Sequence, residues 1–233
     1  MQHLHDSQTL EFTTTVTGVT DGRFVELAET YFYPVGGGQP HDEGVIRRGN
    51  DEFHVTFVKK VAGTVSHEVD RAGLAVGDTV HCSIQAARRR KLMRSHTAAH
   101  IVSALMIKKT GAKITGNQLS TEKVRIDYNT EHYDVDLLRS LIEEANTVIA
   151  RKLPVTTRIV PRAEAERMPG VAQLAKGLPP GVEDIRLVVI EGFDTQACGG
   201  THVANTGEIG TLSFLKAENK GKMNRRVYFT VND

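Results

Sequence analysis

Two pairs of side chains in this sequence offer metal ligands at matching spacings. His96 and His100 stand four apart in "MRSHTAAHIVSA", and Cys198 and His202 stand four apart in "QACGGTHVANTGEIG". On a helix, residues i and i+4 share one face, so the two imidazoles can reach one ion. In the second pair, Gly199 and Gly200 allow the backbone to bend until thiolate and imidazole face one point. Three imidazoles and one thiolate are a common tetrahedral zinc shell, and one zinc per chain is the expectation. Taken singly, each residue also has an ordinary use as a packed or solvated histidine or a buried thiol. The complementary pairing and the scarcity of cysteine favour the metal. Cys82 has no histidine at ligand spacing and reads as core.

Four protein donors normally close a structural site, whereas hydrolytic zinc keeps one position for water. One familiar enzyme class is disfavoured outright. A peptidase of the His-Glu-x-x-His type needs a glutamate directly after its first histidine, and here that residue is Thr97. Zinc in this chain would exchange a ligand for substrate or water, or would only shape and position the site. No Ser-His-Asp or Cys-His nucleophile pattern stands out, so water is the expected attacking group.

The first pair needs a helix and the second a strand leading into a turn. Ala86–Lys109 reads as that helix, with Gly111 as its terminator. The apolar run "IRLVVIEGF" precedes the cysteine turn as a strand. Up to about residue 84 the pattern is different: short strands at 11–19, 23–28, 44–48, 52–58, 64–69 and 79–84, broken at Asp21-Gly22, Gly49-Asn50 and Gly77-Asp78. Such spacing suggests a small barrel or closed sheet. In the second half, Leu138, Leu141, Ile142, Ala145, Val148 and Ile149 make the apolar stripe of a helix over 134–152. Strands are expected at 123–128, 155–160, 185–190, 210–215 and 226–231, a short helix at 162–167, and a loop at 176–183. The fold class is therefore α+β: an N-terminal small β-barrel over 1–85, then an α+β domain over 86–233 with helices on a largely antiparallel sheet.

Charge nearly balances, with 29 Lys+Arg against 28 Asp+Glu, so basic surface must come from local clusters. One is Arg88, Arg89, Arg90, Lys91 and Arg94, just before the histidine pair. Another is Lys216, Lys220, Lys222, Arg225 and Arg226. The first could be a solvated helix face or an approach for a phosphate backbone. Two cysteines make no secreted disulfide framework, and neither a signal pattern nor a bilayer-length apolar run is evident. A cytoplasmic protein with no membrane partner is expected. There is no tryptophan and no aromatic platform of the RNA-recognition type, which argues against broad base stacking.

Four blocks together carry a resemblance: "YFYPVGGGQPHDEG" at 31–44, "MRSHTAAHIVSA" at 93–104, "TGNQLSTEKVRIDY" at 115–128 and "DTQACGGTHVANTGEIG" at 194–210. In this order they resemble the free-standing alanyl-tRNA editing proteins, the AlaX family, in its medium-length type. This family is related to the editing domain of alanyl-tRNA synthetase. The resemblance implies a trans-editing deacylase that cleaves the ester joining serine, and secondarily glycine, to tRNA(Ala), with no obligatory protein partner. It makes His96, His100, Cys198 and His202 the zinc ligands. It also implies that Gly37, Gly38 and Gln39 help the barrel engage the tRNA end. Ala99 stands where many relatives carry threonine, so a hydroxyl contact at that position is absent.

An aminoacyl ester is already activated, so its hydrolysis needs mainly an oriented water and a polarised carbonyl, without ATP. Discrimination is harder, because serine differs from alanine by one hydroxyl. A pocket built to hydrogen-bond that hydroxyl rejects the analogue lacking it. Thr97 and Gln118 are the candidates for action at the reacting ester, and Thr115 and Asn117 for substrate contact. Arg94 is the candidate for the acceptor-end phosphates. Each has a plainer reading: Thr97 as a residue that caps or packs within its helix, and 115–118 as turn chemistry. The glycines also read simply as a tight turn. Two rival functions stay open, a non-catalytic tRNA-binding module with structural zinc and a zinc hydrolase of another ester.

Overall fold

Alternation of burial builds the first 84 residues into strands. In the strand Thr79–Ile84, Val80, Cys82 and Ile84 are buried while Thr79 and His81 face solvent. The computed structural model describes residues 1–131, 134–168, 171 and 181–233, so residues 176–180 of the expected loop lie outside the described residues. The chain divides into two compact units, Met1–Leu92 and Met93–Asp233.

In the first unit, β1 (Glu11–Thr20), β2 (Phe24–Leu27), β3 (Gly44–Arg48), β4 (Asp51–Val61), β5 (Thr64–Val69) and β6 (Thr79–Ile84) close into a barrel. The strand order is β1-β2-β5-β4-β3-β6, with every pairing antiparallel. Asp21 (φ 51°) and Gly22 (φ 67°) both take the left-handed conformation that a tight β1–β2 turn needs. Val16, Val25, Phe32, Ile46, Phe53, Val58 and Cys82 fill the interior. Burial pushes the Cys82 thiol up to about 12, as befits a core residue rather than a reactive one. His67 is also inside: its Nδ1–H donates to the Val25 carbonyl, and its Nε2 accepts from Thr30 Oγ1.

The glycine-rich segment is held from beneath by a buried ion pair. Arg89 and Asp42 both have fully buried side chains, and the Arg89 guanidinium also donates to the Tyr31 and Ser7 carbonyls. Asp42 in turn accepts the Tyr33 amide. Above this clamp, Gly36 and Gln39 exchange backbone hydrogen bonds across Gly37 (φ 57°) and Gly38 (φ 84°). Both central residues are left-handed, a turn that glycine makes without strain.

Helix α1 (Ala86–Thr110) begins at the end of the first unit and continues through the second. It stops at Gly111 (φ 69°), whose N–H donates to the Ile107 carbonyl. The second unit adds β7 (Lys113–Leu119), β8 (Val124–Asn129), α2 (Val135–Ala150), β9 (Val155–Pro161) and α3 (Arg162–Ala165). It ends with β10 (Asp184–Ile190), β11 (Asp194–Ala197), β12 (Thr211–Asn219) and β13 (Arg225–Asn232). Two antiparallel sheets result, β11-β10-β9 and β12-β13-β8-β7. Asp134 caps α2 by accepting the Leu137 amide, and the expected apolar stripe of that helix is buried. Ala98, Ile101, Val102, Leu105 and Met106 of α1 share one core with that stripe and with Leu119, Ile126 and Phe229. The expected α+β class, a barrel followed by helices on antiparallel sheet, is the fold observed. Among the described residues no helix is long and apolar enough to cross a membrane.

Two strands were not expected. Residues 115–118, open to a turn reading, form most of β7, and Thr115 is the extra residue of a bulge between Ile114 and Gly116. The residues before the cysteine turn form the short edge strand β11. The basic run also differs from a single solvated face. Arg88 donates to the His41 carbonyl and pairs with Glu43, Arg89 is interior, and Arg90 and Lys91 are exposed.

Candidate metal centre

Helix α1 presents His96 and His100 from one face, and both are buried. Cys198 follows β11 directly. Its N–H donates to the Arg186 carbonyl of β10, which extends the sheet pairing one residue into the turn. From inside β10 the Arg186 side chain reaches the same turn: Nη1 donates to the carbonyls of Cys198 at 2.6 Å and Gly200 at 3.0 Å. The turn is thus tied at both ends, and the Gly200 amide points at Cys198 Sγ, 3.4 Å away.

The two pairs meet. One donor atom from each of His96, His100, Cys198 and His202 lies within 4.8 Å of all the others. Sγ of Cys198 is 3.4 Å from Nε2 of His96 and 3.4 Å from Nε2 of His202. Such convergence of buried polar groups needs compensation, because burying them without partners is costly. His100 Nδ1 is buried with no hydrogen-bond partner among the described residues. A cation at the centre would compensate the converging donor atoms, and three nitrogens with one sulfur suit a borderline-soft ion.

Thr97 sets the tautomer of one donor. Its hydroxyl donates to the Met93 carbonyl at 3.0 Å, so Oγ1 is an acceptor toward His202 Nδ1 at 3.1 Å and the Val203 amide at 3.3 Å. His202 therefore carries its proton on Nδ1 and turns the Nε2 lone pair to the cluster.

The electrostatics favour ligation. Burial lowers the His100 imidazole to about 4, with Arg186 adding to the effect. His96 and His202 lie well below the usual histidine range, through burial first and then neighbouring imidazoles and Arg186. All three are neutral at pH 7 and need lose no proton to bind a metal. Burial raises the Cys198 thiol, against the Gly200 amide and Arg186, which favour the thiolate. Only Cys198 must deprotonate on metal binding.

Two family models match the chain: "Threonyl and Alanyl tRNA synthetase second additional domain" over residues 185–228, and "tRNA synthetases class II (A)" over residues 3–88. The first spans the turn with Cys198 and His202. An alanyl-tRNA editing protein AlaX-M from Methanosarcina barkeri is 45% identical over 230 residues, covering 96% of this chain and 95% of the relative. The chain belongs to the AlaX-M family of alanyl-tRNA editing proteins. A second member, from Saccharolobus solfataricus, is 42% identical over 232 residues, covering 98% of this chain and 97% of its own. An alanine–tRNA ligase from Methanothrix thermoacetophila is 40% identical over 228 residues, covering 96% of this chain but 24% of the ligase.

The remaining candidates fall in both units. Thr115, Asn117 and Gln118 are exposed on the edge strand β7. Asn117 is in register with buried Ile126, and so is on the sheet side packed by α1, whereas Gln118 pairs with Arg125 on the opposite side. Gly37 and Gly38 are solvent-accessible in the first unit, and Gln39 is buried there. The Arg94 guanidinium donates to the carbonyls of Ile209 and Asn232 and meets the Asp233 carboxylate. Sequence reasoning passed over Arg186. Its signal was available: a single cation within the apolar strand "IRLVVI", where an unpaired charge would be costly.

Proposed function

We propose that this chain is a zinc-containing aminoacyl-tRNA deacylase, acting in trans on tRNA(Ala) that carries serine or glycine. The observation that carries the reading is the convergence of His96, His100, Cys198 and His202 in a chain collinear with AlaX-M editing proteins. Those four residues would hold one zinc ion, which when bound supplies positive charge beside the ester. A full set of four protein donors also fits an ion that builds the pocket while water attacks the carbonyl.

The roles of the other residues follow from their surroundings. Thr97 positions His202 rather than touching substrate, since its hydroxyl is fully buried and already occupied. Gln118, Asn117 and Thr115 project from an edge strand and are assigned to contact with the charged 3′ end. The exposed turn at Gly37 and Gly38, braced by Gln39, is assigned to the terminal nucleotide, where unpaired backbone N–H groups suit phosphate or ribose oxygens. Arg94 acts as a brace for the segment at Ile209. The barrel unit would engage the tRNA end and the second unit would perform the hydrolysis, in the cytoplasm and without ATP.

The test is incubation of metal-loaded protein with Ser-tRNA(Ala), Gly-tRNA(Ala) and Ala-tRNA(Ala). Hydrolysis of the first two with the third spared is expected. Failure to cleave either mischarged species would refute the reading. A folded Cys198→Ala variant that binds no metal yet keeps full activity would remove zinc from the mechanism.

A further inference from the structure

The four-stranded sheet has two unlike faces. Along β13, Arg225, Val227, Phe229 and Val231 are buried while Arg226, Tyr228 and Thr230 alternate with them on the outer side. The register carries this division across the sheet. Arg226 lies opposite Asp127 and Glu218, Tyr228 opposite Arg125 and Lys216, and Gln118 of β7 opposite Arg125.

The vertical order of charge on this face is uneven. Asp127 lies low, with a side chain only 9% exposed, covered by the Arg226 guanidinium at 2.6 and 3.0 Å. Arg125 approaches the same carboxylate at 3.8 Å. Glu218 is likewise flanked by Lys216 and Lys220, which are more exposed than it is. Two ammonium groups bracket the Tyr228 ring, Lys216 Nζ at 4.8 Å and Lys123 Nζ at 5.8 Å from its centre. The ring steadies both lysines, and Lys216 is also paired with Glu218. The carboxylates thus orient the cations from beneath, and an approaching molecule meets ammonium and guanidinium groups.

We infer that the outer face of the β12-β13-β8-β7 sheet is an RNA-docking face, holding the phosphate backbone of the substrate's acceptor stem. The inference rests on the deacylase reading for the identity of the RNA. Charge complementarity selects the occupant, because a phosphate backbone is held by several exposed cations, and Lys123, Lys216 and Lys220 are exposed here. A protein partner of comparable footprint wants lysine depleted, and this face carries Lys123 and Lys216 around the Tyr228 ring. The edge strand β7 connects the face to the metal helix: Gln118 belongs to the outer side, while Leu119 is buried in the core with α1. A stem lying on the face would carry its single-stranded 3′ end over that edge.

The experiment measures binding of uncharged tRNA(Ala) by fluorescence anisotropy at several salt concentrations, using wild type and the double variant Lys123→Gln/Lys216→Gln. Expected is a rise in Kd of about 10- to 100-fold at low salt, and a slope of log K against log salt shallower by about two. Lys123→Arg/Lys216→Arg should bind like wild type. On mischarged tRNA the Gln variant should show raised KM with unchanged kcat, since a remote phosphate contact binds ground and transition states alike. Circular dichroism and sedimentation accompany both variants. A folded Gln variant with wild-type Kd and salt slope overturns the inference. So does loss of a wild-type dimer with tRNA binding unchanged, which would make the face a self-association surface. If wild type hydrolyses nothing while the Gln variant still loses tRNA affinity, the docking face stands and the deacylase reading falls.

Discussion

Replacing Thr97 by valine removes one hydroxyl at nearly constant volume, and the structure says which atoms lose a partner. His202 Nδ1–H and the Val203 amide both use Oγ1 as acceptor, in a site with no exposure. Each buried donor left without an acceptor costs about 1–3 kcal/mol. The loss at His202 also releases its tautomer, so the fraction with a lone pair on Nε2 falls. Removing an outer partner of this kind lowers metal affinity about 10- to 100-fold. Competition titration of zinc against a chelator would measure the affinity, and urea unfolding of the metal-free protein the stability. Thr97→Ser keeps the acceptor and should stay close to wild type. Activity at saturating zinc separates two roles: a positioning residue lets Thr97→Val recover most of its kcat, whereas substrate contact does not. Wild-type zinc affinity in Thr97→Val, with deacylation abolished, would refute the argument and return the hydroxyl to the ester.

Three further outcomes follow from the same geometry. Zinc affinity should rise about tenfold per pH unit between pH 6 and 8, since the imidazoles are already neutral and only the raised Cys198 thiol gives up a proton; a flat profile by titration calorimetry would contradict the assignment. Arg89→Met strands the Asp42 carboxylate in the barrel unit and should cost about 3–5 kcal/mol by urea unfolding, part of it recovered in Arg89→Met/Asp42→Asn. His67 is held neutral, its pKa lowered from 6.5 to about 4, so its stabilisation is present above pH 6.5 and lost as pH falls towards 4. The unfolded chain binds a proton that the native barrel refuses, and the stability advantage of wild type over His67→Gln should shrink by about 2 kcal/mol between pH 7 and pH 5.

Much of the frame was legible because it depends on local pattern. Strands such as Phe24–Leu27 and Thr79–Ile84 alternate, the stripe of α2 repeats at helical spacing, and Gly111 ends α1 where a left-handed residue is required. The ligand pairs were legible for the same reason, each being a local spacing whose chemistry implies a partner. β7 was not. Its Thr-Gly-Asn-Gln core has poor strand propensity, and it is a strand because Leu119 and Ile114 bury beside β8 and the bulge at Thr115 absorbs the mismatch.

Charge was the property that sequence conveyed least, and the reason is physical. A run such as Arg88–Arg94 reads as one basic surface because composition records sign but not depth. Folding assigns its members by what each guanidinium can reach. Arg89 meets a buried carboxylate, Arg94 meets carbonyls, and Arg88 meets Glu43. The planar fork with several donors makes arginine suited to such interior bracing. Arg186 shows the same use at the metal turn, where two carbonyls accept from one nitrogen. Lysine, a compact and strongly hydrated charge, stays outside, and Lys123 and Lys216 are exposed on the sheet face beside the Tyr228 ring. In this chain the arginines beside the metal helix hold the protein together, and the surface best able to attract a polyanion is the lysine-bearing sheet far along the sequence from it.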